Sequence, residues 1–250
     1  MISKNTIKLI KSLNHKKIRL REKLFIVEGD KNVSEVLKSS LEVEQLFVTA
    51  DFINSNNSIL VNAKSVTKVS KDEIKKASLL KNPQNSLALC KIPDERPLPA
   101  ELNDLAVYLD GIQDPGNLGT IIRVCDWFGI NHLFCSYDTV DVYNPKVIQA
   151  AMGSFSRVQI QKALFNELLL LAKSSAVQIF GTYLSGENIY KTVLPEKALL
   201  VMGNEGNGIR SELEHLIDKK VSIPQFSAGA ESLNVAIATA IFCSEFKRRV

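Results

Sequence analysis

A single carboxylate, Glu205, stands inside Gly203-Asn204-Glu205-Gly206-Asn207-Gly208, directly after the apolar run Ala198-Leu199-Leu200-Val201-Met202. Glycines let a chain leave a strand sharply, which accounts for Gly206 and Gly208 but not for the acid wedged between them. A carboxylate in such a place has a partner or a task. Arg123 is the candidate partner, in Asp110-Gly111-Ile112-Gln113-Asp114-Pro115-Gly116-Asn117-Leu118-Gly119-Thr120-Ile121-Ile122-Arg123. A surface ion pair from Arg123 to Asp126 on its own helix is the competing arrangement. A third polar segment, Glu231-Ser232-Leu233-Asn234-Val235-Ala236, follows Val221-Ser222-Ile223-Pro224. There Ser232 has the character of a helix cap, and Asn234 that of an ordinary first-turn residue.

Other chemistries are set aside by what is missing. The order G-x-x-G-x-G is the reverse of the dinucleotide fingerprint and lies late in the chain, and neither a P-loop nor a G-x-S-x-G elbow is present. The three histidines and the four cysteines (Cys90, Cys125, Cys135, Cys243) are scattered, so no metal centre, His-based triad or disulfide frame is expected. The thiols read as reduced and mostly buried, as in a cytoplasmic protein.

The polar segments must be held by a sheet. Phe25–Val27, Leu46–Val48 and Leu87–Cys90 read as strands, with helical spacing over Asp30–Ser40. A capping box in Ser70-Lys71-Asp72-Glu73 should open a further helix. Pro93-Asp94-Glu95-Arg96-Pro97-Leu98-Pro99 bars both helix and sheet, which predicts a domain over residues 1–92, a linker over 93–103 and a second domain over 104–250. In the second domain strands are expected at 105–109, 132–135, 158–160, 177–182, 198–202 and 221–223. Helices are expected at 118–128, 145–152, 166–174, 211–217 and 232–249. Near-continuous apolar strands alternating with helices predict a parallel α/β sheet covered on both faces. All three polar segments then fall at strand ends, where such sheets bind ligands.

Charge is unevenly placed. Residues 1–23 carry Lys4, Lys8, Lys11, Lys16, Lys17, Arg19, Arg21 and Lys23 against Glu22 alone, although the whole chain nets only +4. That excess suits phosphate binding and equally a basic helix face bathed in solvent; Lys247-Arg248-Arg249 adds a smaller cluster. No apolar run approaches the ~18–20 residues of a membrane helix, and lysines interrupt the N-terminal segment as no secretory signal allows.

Taken together and in this order, the three polar segments resemble the motifs of the SpoU (TrmH-like) branch of the SPOUT RNA methyltransferases. The resemblance implies that residues 104–250 form a parallel α/β domain with a C-terminal trefoil knot. It also implies that residues 1–92 form a small α/β substrate-binding domain. The implied activity is methyl transfer from S-adenosylmethionine, without a metal, to a ribose 2′-hydroxyl of ribosomal RNA. Transfer RNA is the alternative substrate, and a non-catalytic RNA-binding protein the alternative role. By position, Arg123, Asn117, Glu205, Ser232 and Asn234 match the family's catalytic polar set, and Thr182, Met202, Gly203, Ile223 and Leu233 match the donor-binding segments. The leader residues Lys16, Lys17, Arg19 and Arg21 would grip RNA. A cytoplasmic homodimer joined through the knotted domain is also implied. The chain departs from the family at Gln149-Ala150-Ala151, where Arg-Ala-Ser is common, and at Asn85, where the substrate module usually has glycine.

Overall fold

The computed structural model describes residues 1–227, 229 and 231–248. In chain order its first elements are α1 (Lys4–Ser12), α2 (Lys16–Glu22), β1 (Leu24–Glu28), α3 (Asp30–Leu37), β2 (Val43–Val48), α4 (Ala50–Asn56), β3 (Val66–Lys68), α5 (Lys71–Ala77) and β4 (Ser86–Lys91). There follow β5 (Ala106–Leu109), α6 (Pro115–Trp127), β6 (His132–Cys135), α7 (Pro145–Ala151), β7 (Gln159–Lys162), α8 (Phe165–Ser174), β8 (Gln178–Asn188), β9 (Ala198–Met202), β10 (Lys219–Ser222) and α9 (Val235–Lys247). They divide into two compact units, residues 1–94 with 141–157 and residues 95–140 with 158–250.

The first unit is built on a four-stranded sheet of order β1-β4-β2-β3, in which only β2 and β3 run parallel. Strand alternation puts Ile26, Phe47, Leu87 and Leu89 on one face, where they pack with Ile10, Leu13 and Ile74. The expected capping box opens α5: Ser70 Oγ accepts from the Glu73 amide and Glu73 from the Ser70 amide. Phe25, on the other face of β1, meets the Tyr143 ring at 4.7 Å and the Phe155 ring edge-on at 6.2 Å. This packing is one reason residues 141–157 cluster with this unit. Gln149 of α7 accepts a hydrogen bond from the buried Asn32 amide at 3.3 Å.

The basic leader forms two helices, α1 and α2, and one of its residues corrects the expectation of RNA contact. Arg19 is only 2% exposed. Its Nε donates to Asp141 at 3.0 Å, and its Nη1 to the Leu13 and Asn14 carbonyls at 2.7 and 3.0 Å, so the guanidinium closes the open end of α1. A guanidinium buried and bonded in this way is not presented to a phosphate. Lys16, Lys17 and Arg21 are exposed, with Arg21 paired to Glu22 at 2.8 Å.

All six strands of the second unit run parallel, in the order β10-β8-β9-β5-β6-β7. Ile179, Leu199, Val201, Tyr108 and Phe134 bury one sheet face against Leu168 and Leu171 of α8 and against Leu213. The other face is covered by α6 and α9, which pack on each other, with Phe246 edge-on to Phe180 at 5.2 Å. Burial pushes the Cys135 and Cys243 thiols up to about 12, and all four cysteines are free and buried. Strand order reverses between β9 and β5, the switch point at which such sheets open a crevice.

Several boundaries differ from those expected. α6 starts at Pro115, not 118, because Asp114 caps it and proline suits a first helical position. Residues 211–216 form a 3-10 turn where an α-helix was expected. β8 runs on to Asn188, rejoining β10 beyond a register shift at Lys220/Val221. Asn234, not Ser232, caps α9; the expected helix end at Arg249 lies outside the described residues. Arg19→Ala should destabilise the protein by about 3–5 kcal/mol, the cost of leaving a buried partner uncompensated. Lys17→Ala should stay within about 0.5 kcal/mol, and denaturant unfolding of both variants checks the contrast.

Candidate active site

The site grows from the end of the central strand β5. Asp110, the residue after it, is 1% exposed. Its carboxylate accepts from the Arg210 backbone amide at 2.8 Å and from Arg210 Nε at 2.7 Å, with a further bond from Nη2. These hydrogen bonds hold the Arg210 guanidinium charged well above its ordinary pKa. The buried acid thereby fixes the far end of the Gly-rich turn. The near end is fixed by backbone contact: a Cβ on Gly203 would lie 2.2 Å from Gly208 C and 2.3 Å from Ile209 N. Only glycine fits there.

Between these anchors Asn204 and Gly208 exchange backbone hydrogen bonds, both at 2.9 Å. The Asn204 side chain braces the turn from within, accepting from the Gly206 amide at 2.8 Å and donating to the Gly111 carbonyl at 2.6 Å. The Gly111 amide in turn donates to Ser136 Oγ at 2.9 Å. Lys162 Nζ ties down the same loop through the Ser136 and Thr139 carbonyls, at 2.8 and 2.6 Å. Glu205 is left exposed at the tip of a rigid turn.

Three of the expected polar residues meet there. Asn117 Nδ2 donates to Glu205 Oε1 at 2.7 Å, and Asn234 Nδ2 donates to Asn117 Oδ1 at 2.9 Å. The direction of this line is set at its far end. Asn234 Oδ1 accepts the Ala236 and Ile237 amides at the start of α9, at 2.9 and 3.4 Å, and a backbone amide can only donate. The Asn234 nitrogen must therefore face Asn117, whose own nitrogen must face Glu205. The carboxylate receives a charge-assisted bond through Oε1, and Oε2 remains for another donor.

Arg123 is not part of this line. The expected pair with Glu205 is replaced by Asn117, because Arg123 lies six residues further along α6, about 9 Å down the axis and round another side. Arg123 is exposed and makes no hydrogen bond or ion pair among the described residues, so the alternative pairing with Asp126 does not form either. Ser232 is exposed and likewise makes none. Met202, Gly203 and Ile223 sit at or just beyond the carboxyl ends of β9 and β10, whereas Thr182 lies within β8, which runs on six residues past it, and its Oγ1 donates to the Val201 carbonyl at 3.0 Å. Leu233, 49% exposed, lies just before α9. Asp110, Asn204 and Arg210 are site residues that sequence reasoning misses. The available signal was an acid directly after an apolar strand, which demands a cationic partner when buried. No cluster of His, Cys, Asp and Glu able to hold a metal occurs among the described residues, and no helix there is long and apolar enough to cross a membrane.

The sequence model of the SpoU rRNA Methylase family matches residues 104–244, and that of the MRM3-like substrate binding domain matches residues 4–88. The 23S rRNA (guanosine(2553)-2′-O)-methyltransferase RlmP of Bacillus subtilis is 31% identical over 232 residues, spanning 92% of this chain and 91% of its own. A TrmH-family chain from Porphyromonas gingivalis superposes with a TM-score of 0.90 at 39% identity over all of both chains. The AdoMet-bound rRNA methyltransferase of Sinorhizobium meliloti gives a TM-score of 0.88 at 28% identity, covering 100% of this chain and 97% of that one.

Gly203→Ala should cost about 1–3 kcal/mol as an overpacked backbone contact. Gly206→Ala, whose nearest neighbour would be Asn204 Oδ1 at 3.5 Å, should stay within about 0.5 kcal/mol. Thermal and denaturant unfolding of the two single variants decides it; equal costs would mean that the crossing at Gly203 is not tight.

Proposed function

The chain belongs to the SpoU rRNA methylase family, and on that premise we propose that it methylates a ribose 2′-hydroxyl of ribosomal RNA, taking the methyl group from S-adenosylmethionine. The observation that carries this is the hydrogen-bonded line Glu205–Asn117–Asn234, which joins the three polar segments into one site. The residues present suit the donor. At Gly203 the backbone is bare of any Cβ, Leu233 is a half-exposed apolar side chain before α9, Ile223 follows β10, and Thr182 lies within β8, the strand next to β9. Met202, Gly203 and Ile223 would hold the donor largely through backbone groups, with Leu233 against its apolar part. When bound, S-adenosylmethionine supplies a methyl carbon on a positively charged sulfur, a reaction that calls for no metal.

What the protein must add is alignment of the hydroxyl oxygen and a route for its proton. Glu205 Oε2 is positioned to accept the hydroxyl's hydrogen bond, with Oε1 fixed by Asn117. Ser232, exposed beside Asn234, adds a hydroxyl at the rim. An arginine guanidinium is a poor base. The unpaired guanidinium of Arg123 instead suits an RNA phosphate, and the positive charge lowers the pKa of the hydroxyl nearby. Trp127 at the end of α6 is 85% exposed and Ile237 of α9 is 53% exposed. A second copy covering that surface would form the homodimer and bring Arg123 to a site it does not reach within its own chain. The N-terminal unit would hold the RNA, and the enzyme would work in the cytoplasm, where its substrate is. Transfer RNA is the alternative substrate.

The test uses the purified protein, methyl-labelled donor, and separate rRNA and tRNA fractions from cells lacking the gene. Label should enter rRNA and survive alkali in a dinucleotide, the mark of a methylated ribose. Arg123→Ala should lower kcat/KM by about 10²–10³-fold, whereas Arg123→Lys should keep most activity if charge is what matters. Label only in tRNA, or in alkali-labile nucleotides, refutes the assignment. Separately, Trp127→Glu should convert a dimer into a monomer in sedimentation velocity; an unchanged dimer would place the interface elsewhere.

A further inference from the structure

The family resemblance points to the basic leader as the RNA grip, yet Arg19 is buried and bonded to Asp141 and to the end of α1, and Arg21 is paired to Glu22. The N-terminal unit carries a second basic feature, and this one is concave. Lys71 and Lys75, one helical turn apart on α5, and Lys81 beyond it wall an open pocket whose floor is Asn82-Pro83-Gln84-Asn85. Asp72 is the one acid that lines it. Lys71 is paired to Asp51 at 2.9 Å. Lys75 and Lys81 form no ion pair and no hydrogen bond among the described residues.

Hydrogen bonds to Asp30 hold the floor in place. The Asp30 carboxylate accepts from the Asn85 amide at 3.0 Å, from Asn85 Nδ2 at 2.9 Å and from Ser86 Oγ at 2.8 Å. In return Gln84 Oε1 accepts the Asp30 amide at 2.6 Å. Thr49 Oγ1 closes the set on Asn85 Oδ1 at 3.2 Å. Asn85 is thus a bracket that locks the loop. With Gln84 held through its oxygen, its Nε2 donors make no bond among the described residues, and neither does exposed Asn82. Two unpaired ammonium groups beside the free amide donors of Asn82 and Gln84 form a surface that calls for anionic oxygens.

We propose that this pocket, at the start of β4, is the phosphate grip of the N-terminal unit, taking the backbone of a non-helical RNA segment. Lys75 and Lys81 meet the phosphates, and Asn82 and Gln84 face sugar and base edges. The exposed amides favour an unpaired segment, because the base edges of paired RNA are hard to reach in its deep groove. The inference rests on the methyltransferase reading for its choice of RNA, but not on turnover for its test.

The experiment measures binding of deproteinised ribosomal RNA by filter retention across a salt series, and methyl transfer alongside. In the Lys75→Gln/Lys81→Gln double variant the dissociation constant and KM for RNA should each rise about tenfold. The salt slope should fall by about 2, one for each phosphate no longer neutralised. Saturated kcat and donor affinity should stay within about twofold of wild type, as removal of charges that take no part in the chemistry requires. The matched Lys16→Gln/Lys17→Gln variant should move the slope by less than about 1. An unchanged slope in the pocket variant, or a larger loss in the leader variant, overturns the proposal. If the wild type binds RNA but transfers no methyl group, the methyltransferase reading fails while the salt slopes still judge the pocket. An unchanged thermal midpoint shows that the variants are folded.

Discussion

A carboxylate buried at the end of β5 is costly unless its charge is met, and the loops of the active site are laid out around meeting it. Asp110 takes both the backbone amide and the guanidinium of Arg210, and the segment that must deliver Arg210 is the Gly-rich turn carrying Glu205. The turn cannot drift without exposing a buried charge. Asn204 adds a second tie to Gly111, one residue past that carboxylate. The polar tip is exposed, but its position is set by buried electrostatics. Sites held in this way keep their geometry before any ligand arrives, which is what alignment of a hydroxyl with a methyl carbon demands.

The sheet contributes the second constraint. All of its strands are parallel, so every strand delivers its following loop to the same rim, and the reversal of order between β9 and β5 opens that rim at the point where Gly203 and Asp110 emerge. Nearness in space is thus achieved by residues far apart in sequence. Asn117, Glu205 and Asn234 belong to a helix start, a turn tip and another helix start, and each helix is opened by a side-chain cap that also fixes the amide beside it.

Strand positions and the parallel sheet were legible because apolar runs of four to six residues leave little choice in a two-faced sheet. Boundaries were less so. Ser232 and Asn234 are both good caps, and the sequence does not say which carbonyl begins α9; Asn234 wins by also reaching Asn117. The partner of Glu205 is hidden for a similar reason: opposite charge suggests Arg123, whereas the geometry of α6 supplies Asn117. Arg19 sits in a basic run like its neighbours, and nothing in its spacing reveals that Asp141, more than a hundred residues away, draws it inward. Long-range satisfaction of buried charge is what a single sequence hides best.

The fixed direction of the amide line has a further consequence for how this sequence can change. An aspartate at 117 or 234 is nearly the same shape as asparagine, yet it would set oxygen against oxygen where nitrogen now donates. Such a change at either asparagine therefore spoils the bonds of its neighbours in the line, although they lie in separate stretches of chain and would be altered by separate events. The two asparagines must match their neighbours in the line, as letters of a single word spelled across three sentences.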